Sequence, residues 1–179
     1  MKKSFKEAIT LLSREVKGTV KFDLIDKILY STDASAYKEQ PLGVVYPFDK
    51  EDIRLIIRFA QEFQIPIIPR AAGTSLAGQV VGSGLVVDVS RHLTKILEIN
   101  ADEKWVRVQP GVVLDELNKI LKPYNLFFAP ETSTSNRCNL GGMVGNNSCG
   151  AHSLLYGSTR DHTLEIEAFL SDGSLIVFK

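Results

Sequence analysis

Hydrophobic positions fall into short sets whose period changes along the chain. Residues 4–16 place Phe5, Ala8, Ile9, Leu12 and Val16 at helical spacing, which predicts an amphipathic first helix. Phe22, Leu24, Ile25, Ile28 and Leu29 continue the apolar content to Tyr30, and this N-terminal segment is expected to pack on the flank of the domain. Gly43–Tyr46 reads as a strand. Asp49 then suits the N-cap of a helix over 51–63, where Ile53, Ile56, Ile57, Ala60 and Phe63 predict one apolar stripe. Gln64-Ile65-Pro66 ends that helix, and Ile67-Ile68 predicts a short buried strand. Leu85–Val89 is a further strand, apolar except at Asp88. Strand, helix and strand in this order predict a small α/β layer containing a parallel pair.

Farther on, the period shortens. Lys95–Asn100 and Lys104–Gln109 alternate around Ala101-Asp102-Glu103, a hairpin signal that places Trp105 in the core. Pro110-Gly111 turns the chain into a third helix with Val113, Leu114, Leu117, Ile120 and Leu121 on one face, stopped by Pro123. Leu126–Phe128 reads as a short strand. Leu164–Leu170 and Leu175–Phe178 pair across Ser171-Asp172-Gly173-Ser174, whose Asp-Gly suits a hairpin turn.

Two glycine-rich stretches carry no such period. The first is Pro69-Arg70-Ala71-Ala72-Gly73-Thr74-Ser75-Leu76-Ala77-Gly78-Gln79, with no large side chain between Arg70 and Leu76. Small residues let backbone N–H groups converge on an anion, the hydroxyls add donors, and Arg70 adds fixed charge. This composition suits a diphosphate cradle; a plain surface turn is the competing reading. Neither a P-loop nor a Rossmann fingerprint fits, because no Lys follows Gly78 and the glycines are spaced differently. The second stretch, 138–161, holds five of the thirteen glycines among Asn and Ser and stays nearly uncharged until Arg160. It reads as a loop on which a flat ligand or a second backbone could lie.

Balanced charge (21 basic, 21 acidic residues) argues against a nucleic-acid partner. The 179 residues fit one ordinary domain, and no apolar run approaches the ~20 residues of a membrane span. Cys138 and Cys149, without a Cys-x-x-Cys pair, suggest a reducing cytoplasm, and three scattered histidines assemble no metal site. His92 reads as a surface residue, and His152 as a structural or solvated one within the second motif.

Together, Pro-Arg-x-x-Gly-Thr-Ser-x-x-Gly and the later Asn-Leu-Gly-Gly-x-x-x-x-Asn-x-x-Gly…Tyr-Gly…Asp resemble the FAD-binding domain of the FAD-linked oxidases. This is the vanillyl-alcohol-oxidase and p-cresol-methylhydroxylase superfamily, and the likeness is to its glycolate oxidase subunits and D-lactate and D-2-hydroxyglutarate dehydrogenases. It runs from about Tyr30 to the C-terminus.

The resemblance implies an α+β, PCMH-type FAD-binding fold: a small parallel-containing α/β subdomain followed by a mainly antiparallel α+β one. It divides the chain into a flank at 1–40, a first FAD-binding subdomain at 41–109 with the diphosphate loop at 69–79, and a second at 110–179. In that family the flavin domain continues and a substrate-binding cap domain follows, so the chain is expected to be a fragment. Arg70, the N–H groups of Ala71, Ala72, Gly73, Thr74 and Ser75, and Gly78 would hold the FAD diphosphate, with Gln79 near the ribose or ring. Pro130, Thr134, Asn139, Gly141, Gly142, Asn146 and Gly150 would line the far side, and Tyr156, Gly157 and Asp161 would close it. Ala71-Ala72 stands where relatives carry a tethering His or Cys, so FAD is expected to be non-covalent.

The implied substrate is a 2-hydroxy acid such as D-lactate, glycolate or D-2-hydroxyglutarate. The implied electron acceptor is a fused or separate iron–sulfur protein, and the implied location is cytoplasmic, peripheral to the membrane in the full-length protein. No residue is assigned as catalytic. Two alternatives stay open: the flavin domain of a UDP-N-acetylenolpyruvoylglucosamine-reductase-like enzyme, and a non-catalytic nucleotide-binding module.

Overall fold

The computed structural model describes residues 5–179; the expected helix start at residue 4 lies outside them. The chain forms two compact units. The first comprises the residues up to Arg70, Ser75–Asp88 and Glu165–Lys179; the second comprises Ala71–Thr74 and Val89–Leu164. The chain thus passes to the second unit at Val89, and its final hairpin returns to the first.

The first unit is built on a four-stranded sheet: β1 (Thr19–Lys21), β2 (Gly43–Tyr46), β3 (Ile67–Arg70) and β4 (Leu85–Asp88), in the order β1-β2-β4-β3. β1 is antiparallel to β2, whereas β4 lies parallel to both β2 and β3. β2 and β4 are buried along their whole length, as inner parallel strands require. One face meets α1 (Phe5–Glu15) and α3 (Lys50–Phe63) in a core of Ala8, Leu12, Val16, Val45, Ile56, Phe59, Leu85 and Val87. The other carries Val44, Tyr46 and Val86, backed by Tyr30 and Ile68. α2 (Leu24–Leu29) leaves Leu24, Ile25, Ile28 and Leu29 exposed. The hairpin of β7 (Ile166–Phe169) and β8 (Leu175–Phe178) joins this unit, with Gly173 against the Arg58 side chain and Lys50 paired to Glu167.

Several expectations need correction. The buried face of α3 is Asp52, Ile56, Phe59 and Ala60, so the stripe is rotated away from Ile53 and Ile57. β3 is an edge strand and only half-buried. β1 carried no usable signal, being three residues long.

The second unit packs the hairpin β5 (Ile96–Asn100) and β6 (Trp105–Val108) against α4 (Leu114–Leu121) and α5 (Leu140–Asn146). Val112, Leu114, Leu117, Leu121, Cys138, Leu140 and Met143 form its core. Trp105 is half-buried outside that core, its indole N–H donating to Glu103 Oε2 at 2.6 Å. Ile120 is exposed. Leu126–Phe128 is no strand: the Asn118 amide supplies the pairing, accepting from Phe128 N at 2.8 Å and donating to its carbonyl at 3.4 Å. The second glycine-rich stretch is not a loop; it contains α5, α6 (Ser153–Tyr156) and a 3-10 turn at Thr159–His162. Both cysteines are free.

Candidate functional site

The first glycine-rich stretch begins where β3 ends. Arg70, in register with Asp88, donates from Nη1 to the Thr32 carbonyl at 2.9 Å, and its guanidinium lies 4.9 Å from the Tyr30 ring centroid. Burial, reinforced by a 2.5 Å hydrogen bond from its hydroxyl to Asp88 Oδ2, pushes the Tyr30 pKa well above its ordinary value, so this hydroxyl remains a donor. Beyond Arg70 the backbone enters left-handed conformations at Gly73 (φ 67°) and Gly78 (φ 69°), which glycine adopts without a Cβ penalty. Ser75 Oγ accepts from Ala77 N at 3.2 Å and donates to Gln79 Oε1 at 2.5 Å, so both side chains are engaged within the loop. Among the described residues, the N–H groups of Gly73 and Thr74 find no acceptor. Both residues are part-exposed, so these donors are open to water or to a ligand anion.

In the second unit, α5 is docked by backbone bonds: Leu140 N to Val112 O at 2.9 Å and Gly141 N to Pro110 O at 2.8 Å. A Cβ on Gly141 would lie 2.6 Å from Pro110 Cβ, so Gly141 permits helix docking. A Cβ on Gly142 would come within 3.3 Å of Ala71 Cβ. The two glycine-rich stretches, distant in sequence, therefore meet within one unit. Next to them Asn139 is buried; its Nδ2 donates to Gly111 O at 2.9 Å, while Oδ1 has no partner among the described residues.

Pro130 is buried, and Gly150 lies so close to Glu131 that a Cβ would stand 2.6 Å from the Glu131 carbonyl. The Thr134 carbonyl accepts the N–H groups of Arg137 and Cys138 and shapes that turn. Asn146 is exposed on the last turn of α5. Gly157 (φ 74°) and Asp161 build the 3-10 turn, where Asp161 Oδ2 accepts Ser158 N at 2.7 Å and Ser158 Oγ at 2.8 Å. Tyr156 meets Phe127 edge-on at 5.7 Å. Sequence reasoning missed the support role of Pro110–Leu114; Pro-Gly beside a glycine pair elsewhere was its only trace.

A family model described as an FAD binding domain matches residues 41–179. The chain belongs to that family. The matched FAD-binding domain is 44% identical over 160 residues to D-2-hydroxyglutarate dehydrogenase of Pseudomonas putida, covering 88% of this chain and 16% of that protein. It is 32% identical over 166 residues to glycolate oxidase subunit GlcD of Bacillus subtilis, covering 90% of this chain and 35% of that one. In structure it is similar to p-cresol methylhydroxylase with substrate bound, with a TM-score of 0.82, 15% identity, and coverage of 99% of this chain and 36% of that one. That likeness bears out the α+β, PCMH-type fold. The chain spans about a sixth to a third of the length of these curated relatives.

The cofactor of this FAD-binding domain is FAD, and the residues present fit it. Unpaired N–H donors at Gly73 and Thr74 complement diphosphate oxygens, and Gly142 keeps the neighbouring surface bare. The orphaned Asn139 Oδ1 is an acceptor and suits a hydroxyl or amine of the dinucleotide. Among the described residues, no cluster of His, Cys, Asp and Glu could hold a metal, and no helix is long and apolar enough to cross a membrane.

Glu131 ties the 130 and 150 segments together. Its Oε1 accepts His152 N at 3.0 Å and lies 2.7 Å from His152 Nδ1, and these bonds, the backbone one first, hold its carboxyl below the ordinary range. A depressed carboxylate contributes stability above its ordinary pKa and loses it as pH falls through the lowered value. Glu131→Gln is therefore expected to loosen residues 148–153 at neutral pH and to match the parent in strong acid. Amide chemical shifts followed from neutral pH to below the ordinary carboxylate range check this; a difference that persists unchanged in acid refutes it.

Proposed function

We propose that this chain binds FAD non-covalently for a flavin-linked dehydrogenase that oxidises a 2-hydroxy acid. The observation that supports the reading is the meeting of Ala71 with Gly142, which brings the Ala71–Thr74 part of the first glycine-rich stretch beside α5 within the second unit. Arg70, Ser75, Gly78 and Gln79 extend that loop, and Asn139 offers the buried acceptor. Bound FAD supplies the two-electron acceptor; the residues of this chain bind and orient it. Ala71 and Ala72 present no nucleophile at the loop, which supports non-covalent binding.

D-2-hydroxyglutarate is the favoured substrate, supported by 43–47% identity to four D-2-hydroxyglutarate dehydrogenases against 30–36% for glycolate and D-lactate relatives. A fused or separate iron–sulfur protein would take the electrons, and a cytoplasmic, membrane-peripheral location fits such a carrier. The test is an absorbance spectrum of the full-length protein after FAD addition and desalting, followed by anaerobic D-2-hydroxyglutarate. Retained flavin bands that bleach with the acid are expected. A full-length protein that stays colourless overturns the reading.

A further inference from the structure

Residues 30–38 precede the segment matched by the family model and look at first like a connector. The structure closes them into a compact loop. Thr32 and Lys38 form an antiparallel bridge, and Glu39 N donates to the Ser31 carbonyl at 2.9 Å. Inside, Ser35 N donates to Asp33 Oδ1 at 2.8 Å and Tyr37 N to Ser35 Oγ at 3.1 Å.

This closed loop grips the diphosphate loop at Arg70 and at Gly78, residues that belong with it to the first unit. At the entry, Arg70 is held by the Thr32 carbonyl and the Tyr30 ring, and Tyr30 is anchored in turn through Asp88. At the exit, the Tyr37 ring lies on the bare backbone of Gly78, where a Cβ would stand 2.5 Å from Tyr37 Cδ2. Tyr37 is otherwise 63% exposed. An aromatic this exposed adds little to the core, so its contact with Gly78 is explained better by what it restrains. Between the grips lie Gly73 and Thr74, whose N–H groups have no protein acceptor. A glycine-rich segment with no internal pairing loses much conformational freedom when a ligand orders it, and fixing its ends beforehand removes part of that cost.

We propose that residues 30–38 are a clamp that pre-orders the diphosphate loop, with Tyr30 and Tyr37 as positioning residues for FAD that do not touch it. The proposal rests on the FAD-binding reading above, but its restraint on the loop does not require bound FAD. Tyr37→Ala in the chain without FAD should lower the backbone order parameters of Ser75, Ala77 and Gly78, which share its unit, from about 0.85 to below about 0.6. FAD affinity should fall about tenfold. The thermal midpoint should stay within about 2 °C of the parent, as for a surface substitution. Tyr37→Phe should restore loop order and affinity together.

Unchanged order parameters in Tyr37→Ala overturn the clamp, whether or not FAD binds. A loosened loop with undiminished FAD affinity overturns the cofactor-positioning role. Loosening in a parent that binds no FAD supports the clamp and counts against the FAD-binding reading alone.

Discussion

Gly73→Val is expected to leave the chain folded and unable to retain FAD. Gly73 has φ 67°, a conformation in which any Cβ crowds the following carbonyl, and a β-branched side chain is worse placed still. Forcing an L-residue there costs roughly 1–2 kcal/mol, which is small beside the ~5–15 kcal/mol of an ordinary domain. The loop sits outside all three core clusters, so the strain is relieved by moving the loop rather than by unfolding the sheet. That movement misdirects the N–H groups of Gly73 and Thr74. Hydrogen bonds to a charged group contribute about 1.5–3 kcal/mol each, so losing both weakens FAD binding by at least about 100-fold. Flavin fluorescence titration reads the affinity and far-ultraviolet circular dichroism reads the fold. Undiminished affinity with a native spectrum would make Gly73 a turn residue and nothing more.

This loop was legible in the sequence because its chemistry is compositional: a run of small residues bounded by Arg70 and Gly78 needs no tertiary context to be noticed. The Asp49 cap was legible for a similar reason, since one side chain does the work locally, accepting from Glu51 N and Asp52 N. What could not be read depended on partners distant in sequence. Gly141, Gly142 and Gly145 argue against a helix by propensity, yet α5 forms because the Pro110–Leu114 backbone holds it in place. The Leu126–Phe128 run has strand composition, but Asn118 takes its backbone groups before any strand can. Gly157 and Asp161 matched the family pattern as cofactor residues, and they also build a turn whose signal was present: Ser158-x-x-Asp161 has the spacing of a capping box, with aspartate in place of the usual glutamate. Asp52 was overlooked because a search for apolar stripes discards a carboxylate.

That carboxylate carries the largest expected stability effect. Asp52 is 1% exposed in the first turn of α3, where the helix dipole favours an anion. Oδ1 accepts Lys17 N at 2.9 Å, and Oδ2 accepts Gly18 N and Phe48 N, both at 2.8 Å. One side chain thus joins the end of α1 and the approach to β1 to the segment between β2 and α3. The joint has no slack, for a Cβ on Gly18 would lie 2.0 Å from the Tyr46 carbonyl. Asp52→Ala strands three backbone donors in a space too tight for easy rearrangement. At about 1–3 kcal/mol for each unsatisfied buried group, the expected loss is about 3–5 kcal/mol, a large part of the stability of a domain this size. Asp52→Asn keeps the volume but replaces one acceptor oxygen by an NH2 that must face a backbone donor, so it should recover less than half of that loss. Urea denaturation of the three proteins decides between a joint and a bystander. An Asp52→Ala midpoint equal to that of the parent would mean that water satisfies these amides and that the side chain holds nothing together.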